Sequence, residues 1–205
     1  MYIIDRLKRR KTGFTFIEIV FVVSLVAVVS FAVYSVFSQG INIWQRLAQE
    51  AKTDEINIFC ERISTELRNS FLFTGIDFTG TEYSISFPGL VLSRLSSGES
   101  QEMTVGRINY SFDIQDKVLN RRQSDYSQVF QLKYTPWRQV LSGVKNLKFK
   151  YYYYDPKQEL YLWKDFWEGP KEVTALPLAV RVEIGFDKDV RIKTVTRTIT
   201  IPAGG

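Results

Sequence analysis

From Ile19 to Phe37 the chain runs for 19 residues without a charge or a proline, and Val dominates the run. Counted from Phe14, the apolar stretch is 24 residues long. At ~1.5 Å per residue it spans ~36 Å, more than the ~30 Å hydrocarbon core of a bilayer. Its one charge, Glu18, stands near its start, and the basic cluster Lys8, Arg9, Arg10 and Lys11 lies ahead of it. A positive cluster before a span is expected to keep the N-terminus cytoplasmic and the C-terminal body outside.

Three readings of such a segment compete. A cleaved signal peptide has an apolar core of about 7–15 residues and a small-residue cut site behind it. Here the core is longer, and the one candidate site, around Val36 and Ser38, is weak. A plain signal anchor fits the length but leaves Glu18 unexplained. The third reading puts a cut before the apolar run, between Gly13 and Phe14. A carboxylate deep in lipid costs on the order of 2–3 kcal/mol or more, and less near the interface. Glu18 lies ~7 Å into the span, so its cost is intermediate. A cut before Phe14 creates an amine, with an intrinsic pKa of about 8, that the carboxylate can pair with on its own or a neighbouring chain. Negative charge is also favoured near a helix N-terminus.

The run Lys8–Glu18 reads K-R-R-K-T-G-F-T-F-I-E. It resembles the processing site of the type IV prepilin family: a short basic leader, Gly13 at the cut, Phe14 as the new first residue and Glu18 as the fifth mature residue. Phe16 replaces the family's common Leu. The resemblance implies removal of residues 1–13 by a prepilin peptidase and N-methylation of Phe14. It implies an assembly and membrane segment at 14–38 and a periplasmic domain at 39–205.

Net charge is +5, but Arg6 and the cluster Lys8–Lys11, set against Asp5, hold +4 of it. The remainder carries 22 basic and 21 acidic residues. Global charge therefore gives no support to a nucleic-acid partner, and none is expected. There is no histidine, which removes Ser-His-Asp chemistry and the usual His-containing zinc sites. The lone Cys60 excludes an intrachain disulfide and sits in a helical pattern, where it reads as a small buried hydrophobe. No P-loop, nucleophile elbow or Gly-rich phosphate cradle is present. No cofactor and no metal are expected: Asp113 with Asp116, and Asp187 with Asp189, read as turn residues.

Beyond Phe37, Trp44, Leu47, Ala48, Ala51, Ile58, Phe59, Ile63 and Leu67 recur at three- and four-residue spacing. One helix is predicted from about Phe14 to about Asn69, with Gly40 as a candidate bend. From Tyr83 the period becomes two. Tyr83–Phe87, Ile108–Phe112, Leu147–Tyr153 and Val180–Phe186 alternate cleanly. Weaker strands are predicted at Val118–Arg121, Val129–Leu132, Leu160–Trp163 and Val195–Ile201, with a bulge between Ile192 and Val195. Residues 96–100 read as an exposed loop. Strands without intervening helices imply an α+β fold, a long N-terminal helix packed on a mostly antiparallel β-sheet. That is also what the pilin resemblance implies.

Within that family, I-S-F-P-G-L (Ile85–Leu90), L-S-G-V-K-N-L-K-F-K-Y (Leu141–Tyr151), L-P-L-A-V-R-V-E-I (Leu176–Ile184) and T-R-T-I-T-I-P (Thr196–Pro202) look like the J-type minor pseudopilin of type II secretion. This resemblance implies a structural subunit, not an enzyme, at the tip of a short periplasmic pseudopilus in the bacterial inner membrane. Its implied partners are the major pseudopilin, the I- and K-type minor pseudopilins, secreted cargo and the outer-membrane secretin. Two other readings stay open: a minor pilin of a type IV pilus or DNA-uptake system, and a non-polymerising, membrane-anchored periplasmic binding domain. The tyrosines Tyr151–Tyr154, with Trp163 and Trp167, are open to two uses. They cover a two-sided strand, or Tyr152, Tyr154, Trp163 and Trp167 form a candidate partner surface.

Overall fold

The computed structural model describes residues 15–94, 101–169, 176–188 and 191–204. Lys8, Arg9, Arg10, Lys11, Gly13, Phe14, Asp189 and the loop 96–100 lie outside the described residues. Helix α1 spans Phe16–Arg68, close to the predicted bounds. The chain divides into two compact units, up to Glu50 and from Ala51 onward, and α1 contributes to both.

In the first unit, Phe16–Ile41 is a 26-residue segment long and apolar enough to cross a membrane, and none of its apolar window is buried by the chain. Phe16, Phe21, Val28, Phe31 and Phe37 are all exposed. The Ser24 hydroxyl donates to the Val20 carbonyl at 2.8 Å, so this polar group is paired within the helix. Gly40 lies inside α1, and a Cβ there would meet nothing within 4 Å.

The second unit is an α+β domain in which every strand pairing is antiparallel. Strands β1 (Thr79–Gly80), β2 (Ser84–Arg94), β3 (Gln101–Asp113), β4 (Val118–Asp125) and β5 (Arg138–Leu141) form one sheet in chain order. Strands β6 (Val144–Asp155), β7 (Leu160–Lys164), β8 (Ala179–Lys188) and β9 (Arg191–Thr200) form a second, in the order β7-β6-β8-β9. The expected sheet is thus two sheets. The chain passes between them at Ser142–Gly143, where Gly143 has φ +60°, a conformation that favours glycine.

Residues Ile56, Phe59, Cys60, Ile63 and Leu67 form the buried stripe of α1. Ile58, included in the sequence-derived stripe, is exposed instead, and Ile56 takes the inward place. The stripe belongs to one core with Ile85, Phe87, Ile108 and Tyr110 of the first sheet and Leu147, Phe149, Tyr151, Val180, Val182 and Ile184 of the second. Burying each such side chain is worth about 1.5–3 kcal/mol. Cys60 is buried as expected, and burial pushes its thiol pKa up, against the pull of Arg197.

Polar bonds fix the helix and sheets in register. Tyr110 donates its hydroxyl to Glu66 Oε2 at 2.6 Å, and Arg121 Nη2 donates to Glu66 Oε1 at 2.7 Å. Burial works against the Arg121 charge, but Glu66 and Tyr110 together more than offset it and hold its pKa up. The Tyr151 hydroxyl reaches from β6 to the carbonyls of Thr81 (3.0 Å) and Ser84 (3.1 Å), and Phe149 N–H donates to Glu82 O at 2.8 Å. A Cβ on Gly80 would collide with that tyrosine hydroxyl, so the crossing requires glycine.

Two predicted elements differ. Val129–Leu132 is not a strand: Tyr126–Phe130 forms the short helix α2. Asp125 accepts from Gln128 N (2.8 Å) while Gln128 Oε1 accepts from Asp125 N (3.1 Å). This capping box outweighs the β preference of Val129 and Phe130, and Leu132 with φ +56° follows the helix. The bulge between Ile192 and Val195 is also absent, for β8 and β9 pair without a break from Ala179↔Thr200 to Lys188↔Arg191. The parity flips because Ile192 is an exposed apolar residue paired with Asp187, while Val195 opposes Ile184. Register shifts fall instead at Leu119/Asn120 and Val144/Asn146.

Burial raises the pKa of both Tyr110 and Tyr151, with Glu66 adding to the effect at Tyr110. The folded domain keeps both phenols neutral where the unfolded chain, with ordinary values near ~10, begins to lose their protons. Above pH ~10 the unfolded state therefore binds fewer protons, and stability falls by up to ~1.4 kcal/mol per pH unit for each tyrosine. Urea midpoints measured from about pH 8 to 12 should be flat with respect to these groups below ~10 and drop above it. Tyr151→Phe should make that drop shallower; an unchanged alkaline slope contradicts the assignment.

Candidate functional site

Glu18 sits at the third position of α1, just after Thr15, and carries the only acidic side chain of the first turn. The Thr15 N–H donates to Glu18 Oε2 at 3.5 Å, while Glu18 N–H donates to Thr15 O at 3.1 Å. The side-chain bond is half of a capping box. At 3.5 Å and exposed it is weak, so the carboxylate keeps capacity for a stronger cationic partner. The apolar residues around it, Phe16, Ile17 and Ile19, are exposed. A carboxylate set among uncovered apolar side chains at a helix N-terminus can pair with an amine or accept from another helix end.

The second sheet carries the aromatic residues singled out in the sequence. Alternation along β6 turns Tyr151 into the core and leaves Tyr154 exposed, with Tyr152 and Tyr153 half-buried between these extremes. Strand β7 runs beside it with Tyr152↔Trp163 and Tyr154↔Tyr161 opposite each other. Ring centroids lie 4.8 Å apart for Tyr152–Trp163, 5.7 Å for Tyr152–Tyr161 and 5.0 Å for Tyr154–Tyr161. Arg181 of β8 places its guanidinium 4.0 Å from the Trp163 centroid. The face is therefore a four-ring ladder capped by a cation, with Tyr152 at its centre.

Trp167 does not belong to that ladder. It is buried, packs on Tyr151 and Tyr153 with both centroid distances 6.4 Å, and exchanges two backbone bonds with Gly80. Its place in the candidate partner surface is corrected: Trp167 closes the core where β1 meets the second sheet. Tyr161 and Arg181 are the members the sequence reading missed. The signal for Tyr161 was its two-residue spacing from Trp163 on a predicted strand; Arg181 needed the β6–β8 pairing to be known.

Asp113 accepts from the N–H groups of Gln115 (2.9 Å) and Asp116 (3.1 Å), which makes it a turn former. Asp187 pairs with Lys145 at 3.1 Å. Among the described residues no group of three or more His, Cys, Asp or Glu side chains is placed to hold a metal ion.

No protein-family model matches this chain, and no curated protein matches it. What the structure defines is a class: an α+β protein with one N-terminal apolar helix that could span a membrane, followed by an antiparallel two-sheet domain.

The ladder separates a packing role from an exposed one. Tyr152→Ala removes the central ring and should lower stability by about 1–3 kcal/mol, since each aromatic pair is worth ~0.5–1.5 kcal/mol beyond area burial. Tyr154→Ala, at the exposed end, should cost less than ~1 kcal/mol. Chemical denaturation of the two variants checks this, and equal losses contradict the geometry.

Proposed function

We propose that this chain is a pilin-like structural subunit, a J-type minor pseudopilin of a type II secretion system, and not an enzyme. The observation that carries the reading is Glu18: one carboxylate in the first turn of a 26-residue apolar segment that its own chain leaves uncovered. A membrane covers such a segment before assembly, and neighbouring helices of the same kind cover it afterwards. The helix-then-antiparallel-sheet order supports the reading, as do the leader K-R-R-K-T-G and the body motifs.

In this mechanism the basic leader holds the Gly13–Phe14 bond at the cytoplasmic face, where a prepilin peptidase cuts it and methylates Phe14. The anchored subunit sits N-in, C-out in the inner membrane. It leaves the bilayer by exchanging lipid contacts for helix contacts with the major pseudopilin and the I- and K-type subunits. Glu18 sets the register by pairing with a neighbour's N-terminal amine, a charge pair strengthened by the apolar surroundings. The weak bond to Thr15 N–H holds the carboxylate at the helix start until that pair forms. The exposed end of the aromatic ladder, Tyr154 and Tyr161, is offered to a tip partner, the cargo or the secretin.

Glu18→Ala should insert normally, because it removes a charge from an apolar span, but should assemble poorly. Cross-linking of membrane-extracted subunits should show at least a tenfold loss of contacts to the other pseudopilins, about 1.4 kcal/mol or more. Undiminished cross-linking with normal secretion removes the register role. It favours a singly anchored domain that never polymerises.

A further inference from the structure

The outward face of the five-stranded sheet holds a cavity of about 630 Å³, and none of the aromatic-ladder residues lines it. Its floor is set by the alternation of the strands. Where Ile85, Phe87, Ile108 and Tyr110 point into the core, the residues between them point out, and these are small and polar. Thr79 opposes Ser86, Ser86 opposes Asn109 and Asn109 opposes Arg122, one row across β1, β2, β3 and β4. Ser84 and Ser111 form the next row. At ~4.8 Å between strands, a four-strand row is ~14 Å long.

Both ends of the row carry an exposed aromatic. Trp137 stands at the β4 end, where Arg122 places its guanidinium 4.3 Å from the Trp137 centroid and 4.5 Å from that of Tyr134. Phe166 stands at the β1 end, beside the segment that bonds to Gly80. Asn109 lies between them, only 7% exposed, yet its side chain makes no hydrogen bond with any described residue. The same holds for Ser86 and Ser111. The Asn109 amide thus stays open to the cavity, while Arg122 Nε at the end of the same row is buried without a hydrogen-bond partner among the described residues, a state that costs about 1–3 kcal/mol and points to a ligand that completes it.

We propose that this trough binds a short carbohydrate chain of two or three pyranose rings. Asn and Ser side chains both donate and accept, as sugar hydroxyls do, so a row of them matches a polyhydroxylated ligand. The C–H faces of sugar rings are apolar plates that rest on Trp137 and Phe166. The volume lies within the ~300–1,000 Å³ of small-ligand pockets. An extended peptide would instead seek a sheet edge for backbone pairing, and here the β1 edge is already bonded to Trp167. The inference stands apart from the assembly reading, since it uses neither the apolar helix nor Glu18.

The test is calorimetric titration of the full chain, solubilised in a detergent without a sugar headgroup, with chitotriose, cellotriose and tri-galacturonate. At least one trisaccharide should bind. Trp137→Ala should weaken it at least tenfold, and Asn109→Ser similarly, while Tyr154→Ala on the other sheet should change it less than twofold. Phe166→Ala, also at an exposed ring, repeats the test should Trp137→Ala melt early. Silence from all three sugars at about 10 mM, above the weak end of pocket affinities, overturns the proposal. So does affinity unchanged in both aromatic variants.

Discussion

The apolar surface of residues Phe16–Ile41 has no cover from its own chain, and the proposed assembly follows from that. Each large side chain there would forgo about 1.5–3 kcal/mol of burial if left in water. Twenty-six residues of such surface require a second medium, lipid or other helices. Glu18 is the one group in the segment that neither medium accepts without a counter-charge. Its bond to the Thr15 N–H, at 3.5 Å, is the weakest kind of local answer. The proposal that a neighbouring amine supplies the stronger one joins the anchor to assembly through a single ion pair.

Helix α1 meets two environments along its length, and its sequence changes accordingly. Up to Ile41 it is apolar all round. From Ala51 it narrows to the stripe Ile56, Phe59, Cys60, Ile63 and Leu67, which two antiparallel sheets bury. The Glu66–Tyr110–Arg121 cluster then fixes where that stripe meets the first sheet. Because the inward faces of both sheets are consumed by this core, their outward faces are the ones left open to solvent. One bears a stacked aromatic ladder and the other a polar trough between exposed rings.

Period carried most of what the sequence revealed. A change from unbroken apolarity to a 3–4 spacing and then to alternation located α1 and the strands β2, β3, β6 and β8, whose inward residues are the core. What it missed has local causes. Val129 and Phe130 look like strand residues, but the Asp125–Gln128 capping box decides otherwise. Ile192 suggested a bulge because an apolar residue on a solvent-facing position breaks the pattern without breaking the ladder. The two-residue β1 and the edge strand β5 have too little alternation to register. The division into two sheets depends on pairings between distant segments, which period does not encode. The same limit explains the site residues. Tyr152, Tyr154 and Trp163 were legible as outward aromatics. Trp167, one aromatic among neighbours in a charged loop, turns inward onto Tyr151 and Tyr153, a packing that local pattern does not encode.

Glu18 is proposed to work beside a newly created terminus, and intact-mass and N-terminal fragment spectra of the protein extracted from its native membrane read that terminus. The expected result is a chain that begins at an N-methylated Phe14. A functional protein that retains its first thirteen residues contradicts it.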